Sequence, residues 1–159
     1  MTEGITDKTL LIVGHVPSPN TQTLRDAVCA GASSDGIDGV KVRALSPFDA
    51  DVANVLAADA VILGTTENLG YMSGALKDFF DRTYYGVLEE KQGLPYALYV
   101  RAGLDGTGTI RGVETIVTGL RWKAVRAPLL LHGDWREGFR DEAFELGQLV
   151  AAGLETGVF

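Results

Sequence analysis

The feature that most constrains this fold is a series of short apolar runs, each bounded by glycine or polar residues. Residues 9–14 (TLLIVG), 59–64 (DAVILG) and 94–100 (LPYALYV) are apolar at consecutive positions rather than at alternate ones. Strands that helices cover on both faces have this pattern. Residues 40–44 (VKVRA) instead alternate apolar with basic side chains, as a strand with one solvated face does. We therefore expect central parallel strands from the continuous runs, with 40–44 at a sheet edge and a fifth strand within 123–131.

Helical periodicity fills the intervals between these strands. Apolar residues recur at spacings of three and four from Leu24 to Gly31, Leu76 to Thr83, Ile110 to Leu120 and Phe139 to Leu154. A short, weak helix is expected over 49–56. Strand and helix thus alternate five times along the chain.

This alternation predicts a doubly wound α/β fold with three αβα layers. The edge position of the second strand favours a five-stranded parallel sheet in the order 2-1-3-4-5, in which a ligand crevice opens outside the carboxyl ends of strands 1 and 3. No repeat, linker or composition break divides the sequence. We expect a single domain over residues 1–159, with residues 1–8 as a short N-terminal extension.

Composition narrows the classes of partner. The 159 residues include 14 Lys and Arg against 21 Asp and Glu, a net charge of −7 with no basic run, so nucleic acid is not an expected partner. No apolar run approaches the ~18–20 residues that span a bilayer, so membrane insertion is not expected. The start of the chain lacks the basic and apolar segments of a secretion signal, and Cys29 is the only cysteine. A cytoplasmic protein is therefore expected.

A polar segment, residues 15–23 (HVPSPNTQT), joins the first strand to the first helix. Unpaired N–H groups and the positive end of a helix meet at such a point, which in physical terms makes a phosphate site. The segment contains no lysine or arginine, which argues against a P-loop, and Pro17 and Pro19 each remove an N–H donor. The alternative is that residues 17–20 form only a β-turn that leads into a capped helix.

The most specific signal is the segment 64–82 (GTTENLGYMSGALKDFFDR), which follows the third strand. Its spacing predicts a polar loop over 65–72 and a helix that Ser73 caps. The segment resembles the second flavin loop and the following helix of the flavodoxin-like NAD(P)H-dependent FMN reductases and quinone oxidoreductases. Residues 18–21 (SPNT) resemble the phosphate-binding loop of flavodoxin-like proteins more loosely.

The resemblance implies an FMN site that three loops form. It implies that the first loop holds the phosphate, that backbone groups of 65–72 bind the isoalloxazine ring, and that the Gly-rich loop 101–109 (RAGLDGTGT) closes over the ring. Tyr71 and Met72 are expected to cover the ring, whereas Glu67 is expected to contribute only its backbone. The cofactor-binding residues so implied are Ser18, Asn20, Thr21, Gln22, Thr23, Thr65, Thr66, Glu67, Asn68, Leu69, Gly70, Tyr71, Met72, Ala102, Gly103 and Gly106.

The resemblance also implies a reaction. The chain is expected to take a hydride from NADPH or NADH at N5 of FMN and to pass electrons to a quinone, a free flavin or a similar acceptor. No catalytic side chain is expected, because the cofactor supplies the chemistry. A homodimer or larger assembly is expected, in which a neighbouring chain helps to close the flavin site.

Other functions are compatible with the same fold class. One alternative is a flavodoxin-type electron carrier, for which the net charge of −7 favours a basic redox partner protein. Another is a protein that keeps the fold without flavin. A signalling receiver domain is excluded, because Gly64 and Thr65 stand where its phosphoacceptor aspartate is required. His15 and His132 lack metal-ligand spacing, so no metal site is expected.

Overall fold

A computed structural model describes residues 7–159, so residues 1–6 of the expected N-terminal extension lie outside the described residues. Strand and helix alternate through the described chain. The elements in chain order are β1 (Lys8–Gly14), α1 (Pro19–Ala32), β2 (Val40–Leu45), α2 (Val52–Leu56), β3 (Ala60–Asn68), β4 (Tyr71–Met72), α3 (Gly74–Val87), β5 (Pro95–Ala102), α4 (Thr107–Gly119), β6 (Lys123–Ala124), β7 (Leu129–His132) and α5 (Gly138–Thr156).

The sheet has the expected order. Its main path runs β2-β1-β3-β5-β6, and every pairing along it is parallel. The predicted fifth strand is divided into β6 and β7, which both pair with β5 in parallel. When these two pieces are counted as one strand, the predicted order 2-1-3-4-5 is confirmed.

Both faces of the sheet are covered, which explains the continuous apolar runs. Along β1, Leu11 and Val13 pack with α2, α3 and α4, whereas Leu10 and Ile12 pack with α1 and α5. Successive side chains of a strand point to opposite faces, so a strand between two helical layers must be apolar at every position. The chain therefore forms the three-layer αβα fold that its sequence predicts.

The predicted loop over 65–72 is wrong in its local structure. β3 continues past Gly64 to Asn68, and its parallel pairing with β5 extends to Thr66 and Arg101. Asn68 then pairs with Tyr71 in an antiparallel hairpin that β4 completes. Polar side chains do not end this strand, because its backbone still pairs with β5 and then with β4.

The Tyr99 ring lies across the centre of the sheet. Gly14, Gly64 and Tyr99 occupy adjacent positions on β1, β3 and β5. A Cβ on Gly64 would overlap the Tyr99 ring, and a Cβ on Gly14 would lie 2.7 Å from the Tyr99 hydroxyl. The two glycines therefore make the space that this buried ring fills.

No helix within residues 7–159 combines the length and apolarity that crossing a membrane requires.

We expect Gly64→Ala to lower the free energy of unfolding by about 3 kcal/mol, because the added methyl group overlaps a buried ring that has no room to move. Urea unfolding would measure this change. Gly74→Ala is the matched control, since no atom lies within 4 Å of a Cβ at that position. Its effect should stay within about 1 kcal/mol, and an equal loss in both variants would contradict the interpretation.

Candidate functional site

Three connections meet at the carboxyl edge of the sheet, after the neighbouring strands β1, β3 and β5. They are the segment between β1 and α1, the β3–β4 hairpin, and the loop between β5 and α4. Ligands of doubly wound sheets bind outside the carboxyl ends of the strands, where the strand order reverses. The fold therefore places the predicted loops at one edge.

The tip of the hairpin is a strained two-residue turn. Leu69 and Gly70 both have positive φ, 52° and 76°, as in the type I′ turns that suit hairpins. This conformation is easy for glycine but costly for leucine. The Leu69 side chain is also fully exposed to solvent. A strained backbone that presents an apolar side chain to water is typical of binding sites.

The hairpin packs directly against α4. A Cβ on Gly112 would overlap the Tyr71 ring, and a Cβ on Gly108 would overlap the Gly70 carbonyl oxygen. Tyr71 thus lies on α4, while Met72 is only 2% exposed within the core. Met72 is therefore part of the core, whereas Tyr71 keeps 39% of its surface exposed, and its expected contact with a bound ring stays a prediction.

The Glu67 side chain joins the hairpin to the next loop. One carboxylate oxygen accepts a hydrogen bond from the Leu104 N–H (3.2 Å), and the other accepts one from the Gly106 N–H (2.6 Å). Gly106 is the N-cap of α4 and supplies no side-chain cap, so Glu67 also places negative charge at the positive end of that helix. Its expected role as a backbone contributor alone therefore has to be extended. We call these two hydrogen bonds the Glu67 clamp.

An open groove of about 630 Å³ lies between the hairpin and α4. This volume is within the range of small-molecule sites, ~300–1,000 Å³. The groove is lined by Glu67, Leu69, Gly70, Gly103, Leu104, Asp105, Thr107, Gly108 and Arg111. We call it the edge groove. It combines apolar side chains and backbone groups with one cationic side chain, Arg111, and two carboxylates, Glu67 and Asp105.

Four of the predicted site residues line this groove, namely Glu67, Leu69, Gly70 and Gly103. Sequence reasoning missed Leu104 and Arg111. Leu104 lies between the assigned residues Gly103 and Gly106, and its side chain is 84% exposed. The sequence signal that could have identified it is an apolar residue inside a Gly-rich loop. Arg111 lies one turn inside α4, and only the packing of that helix against the hairpin brings it to the groove.

Other predicted residues do not line the edge groove but are buried or form hydrogen bonds within the same loops. Thr65 is buried, and its hydroxyl oxygen accepts a hydrogen bond from the Ser73 N–H (2.9 Å). The Thr66 hydroxyl donates to the side-chain oxygen of Asn68 (2.7 Å). Ala102 and Gly106 are buried as well, and Ala102 belongs to β5 rather than to the predicted loop 101–109. The loop itself is limited to residues 103–106.

The first connection forms a capped helix start. The Ser18 hydroxyl oxygen accepts from the Thr21 N–H (3.3 Å), and the Thr21 hydroxyl oxygen accepts from the Ser18 N–H (3.0 Å), which is a capping box. Gln22 donates to Asp26, and the Thr23 hydroxyl donates to a backbone oxygen. Of the five predicted phosphate residues, Asn20 alone makes no side-chain hydrogen bond within the described chain.

The surroundings of this connection add an imidazole and a guanidinium. The His15 ring meets Phe48 edge to face, and partial burial lowers the pKa of His15 below its ordinary value. The Arg25 guanidinium reaches back along α1 to within 3.4 Å of the Gly14 carbonyl oxygen. Burial also raises the pKa of Tyr99, whose hydroxyl has no hydrogen-bond partner among the described residues.

Metal ligation is not a feature of the described part of the chain. Residues 7–159 contain no group of three or more His, Cys, Asp or Glu side chains that could hold a metal ion.

Comparison with known proteins agrees with this geometry. Residues 10–134 match the sequence model of a family described as NADPH-dependent FMN reductase. A curated flavodoxin of Aquifex aeolicus (strain VF5) is 28% identical over 111 residues, which span 70% of this chain and 59% of that protein. The chain thus aligns with less than two thirds of the length of this relative.

Solved structures share the fold. A flavodoxin from the domain Archaea superposes with a TM-score of 0.78 at 20% identity, covering 92% of this chain and 98% of the other. A flavodoxin, WrbA-like protein from Agrobacterium tumefaciens gives 0.73 at 19% identity, with coverages of 94% and 99%. An apo NADH:FMN oxidoreductase gives 0.69 at 14% identity, with coverages of 90% and 89%. The predicted flavodoxin-like fold is confirmed.

We expect Glu67→Gln to break one of the two hydrogen bonds of the Glu67 clamp, because an amide offers one acceptor oxygen instead of two. Amide hydrogen exchange at Leu104 or Gly106 should become about fivefold to thirtyfold faster, for a loss of about 1–2 kcal/mol. Exchange measured by NMR on the protein without flavin gives this result directly. Glu90→Gln serves as the control, since Glu90 is exposed and lies outside the clamp. Unchanged exchange at both amides would show that the clamp does not hold the loop.

Proposed function

Because the chain belongs to the NADPH-dependent FMN reductase family, we propose that it is an FMN-dependent oxidoreductase. NADPH or NADH would be its electron donor, and a quinone, a free flavin or a similar small molecule its acceptor. The observation that carries the proposal is the edge groove, which lies outside the carboxyl ends of the strands, between the hairpin and α4.

The groove has the chemical character that a flat, polar-edged ring requires. Leu69 and Leu104 offer exposed apolar side chains on its two sides, and the backbone of the hairpin and of residues 103–105 borders it. When bound, FMN would supply the hydride chemistry at its ring. The protein would position that ring and admit the other reactant.

The Glu67 clamp would fix the width of the groove. Its two hydrogen bonds set the distance between the hairpin and the β5–α4 loop before any ligand enters. A site that is already in place spends less binding free energy on ordering its loops. Arg111 provides the positive charge on the groove, which suits the phosphates of a nicotinamide dinucleotide.

We further propose a homodimer or larger assembly. Leu69 and Leu104 are exposed on an open groove, and a neighbouring chain placed over them would remove apolar surface from water and close the site. Sedimentation analysis of the purified protein measures the assembly directly.

The alternative function is a flavodoxin-type electron carrier. The similarity to the Aquifex aeolicus flavodoxin and the net charge of −7 favour it, since an acidic surface attracts basic redox partners. A carrier would hold FMN but would not oxidise NADPH in the presence of small-molecule acceptors. Steady oxidation of NADPH in the presence of an acceptor therefore distinguishes the enzyme from the carrier.

We expect FMN at about 100 times its Kd to stabilise the protein by about 2.7 kcal/mol, because only the folded chain has the groove. The melting temperature should rise by several degrees. The FMN-loaded protein should then oxidise NADPH or NADH steadily when a quinone or excess flavin is supplied. FMN binding without this oxidation would favour the carrier, and no stabilisation by FMN would overturn both functions.

A further inference from the structure

The backbone at the start of α1 offers few donors to a phosphate. A helix begins with unpaired N–H groups, which is why anions bind there. In this helix Pro19 occupies the first position and has no N–H, while the Thr21 and Gln22 N–H groups donate to the Ser18 side chain and carbonyl. Within residues 7–159, no acceptor meets the N–H of Asn20. A phosphate would therefore find one free backbone donor in the first turn.

The hydroxyl groups beside it are also occupied. The Thr21 hydroxyl accepts from the Ser18 N–H (3.0 Å) and donates to the Ser18 carbonyl (2.9 Å), and Thr21 is only 5% exposed. The Thr23 hydroxyl donates to the Pro19 carbonyl (3.1 Å). A bound phosphate would have to break this capping box or use the backbone and side-chain N–H groups of Asn20, which donate to no acceptor within residues 7–159.

Positive charge is scarce at this position. Residues 15–23 contain no lysine or arginine, and the Arg25 guanidinium is directed to the Gly14 carbonyl on β1. Partial burial lowers the pKa of His15, which disfavours the cationic form of its imidazole. The net charge of −7 opposes an incoming dianion as well.

The edge groove offers a ligand more available groups than the segment 15–23 does. The Glu67 clamp holds its two sides together, and exposed leucines stand on both. The lining of the groove includes no residue of 15–23. The groove and the segment 15–23 are therefore separate parts of the molecule, and the groove leaves more of its groups available to a ligand.

We propose that this protein binds flavins mainly through the ring, so that riboflavin is accepted almost as well as FMN. This inference rests on the proposed function. It defines the substrate class as flavins with or without the 5′-phosphate.

The test is a fluorescence titration of the flavin-free protein with FMN and with riboflavin. We expect the two Kd values to agree within about tenfold, which corresponds to ~1.4 kcal/mol. Riboflavin binding more than about tenfold weaker than FMN would overturn this inference while leaving the proposed function intact. Binding of neither flavin would overturn the proposed function and this inference together.

A gain-of-function variant tests the physical reason. Pro19→Ala adds an N–H at the first position of α1, so FMN should bind about threefold to tenfold more tightly, with riboflavin unchanged within about twofold. Pro128→Ala, in the interruption between β6 and β7, is the control and should change neither affinity. Melting temperatures check that both variants fold. Equal tightening of both flavins by Pro19→Ala would contradict the assignment of the effect to the phosphate.

Discussion

The Tyr99 ring lies over Gly64 and reaches Gly14, and the rest of the carboxyl edge depends on this packing. Because the ring fills the space that side chains at Gly64 and Gly14 would occupy, it packs β1, β3 and β5 together at the point where the β1–α1 connection begins. The Tyr99 hydroxyl lacks a hydrogen-bond partner within the described chain. An unpaired buried hydroxyl costs about 1–3 kcal/mol, so the aromatic packing must outweigh that cost.

From this packed region β3 continues into the candidate site. Its last residues leave the covered region of the sheet but keep pairing, first with β5 and then with β4. The hairpin therefore has a fixed position against α4, and the Glu67 clamp fixes the following loop to it. Rigid strands thus define the edge groove, and its two exposed leucines are held where a ligand or a neighbouring chain can reach them.

The two ends of the proposed flavin site differ in physical character. At the groove, the donors and apolar side chains face outward. At the start of α1, the capping box directs the same kinds of group toward each other, and Pro19 removes a further donor. Strong local capping stabilises the helix by about 1 kcal/mol, but it uses groups that a phosphate would need. Fold stability and phosphate binding therefore compete for the same hydroxyls.

Local sequence determined the elements of this protein and their layering. Continuous apolar runs identified buried strands, and the alternation at 40–44 identified the edge strand. A strand that is covered on both faces needs apolar side chains at every position, whereas one that is covered on a single face needs them only at alternate positions. The resemblance at 64–82 also located one side of the groove. Tertiary structure alone decided that 65–68 continue a strand, that Met72 is core, and that Glu67 acts through its side chain. It also brought Arg111 to the groove. These outcomes depend on which backbone groups find partners across the fold, and hydrogen-bond partners distant in sequence leave no periodic signal in the chain.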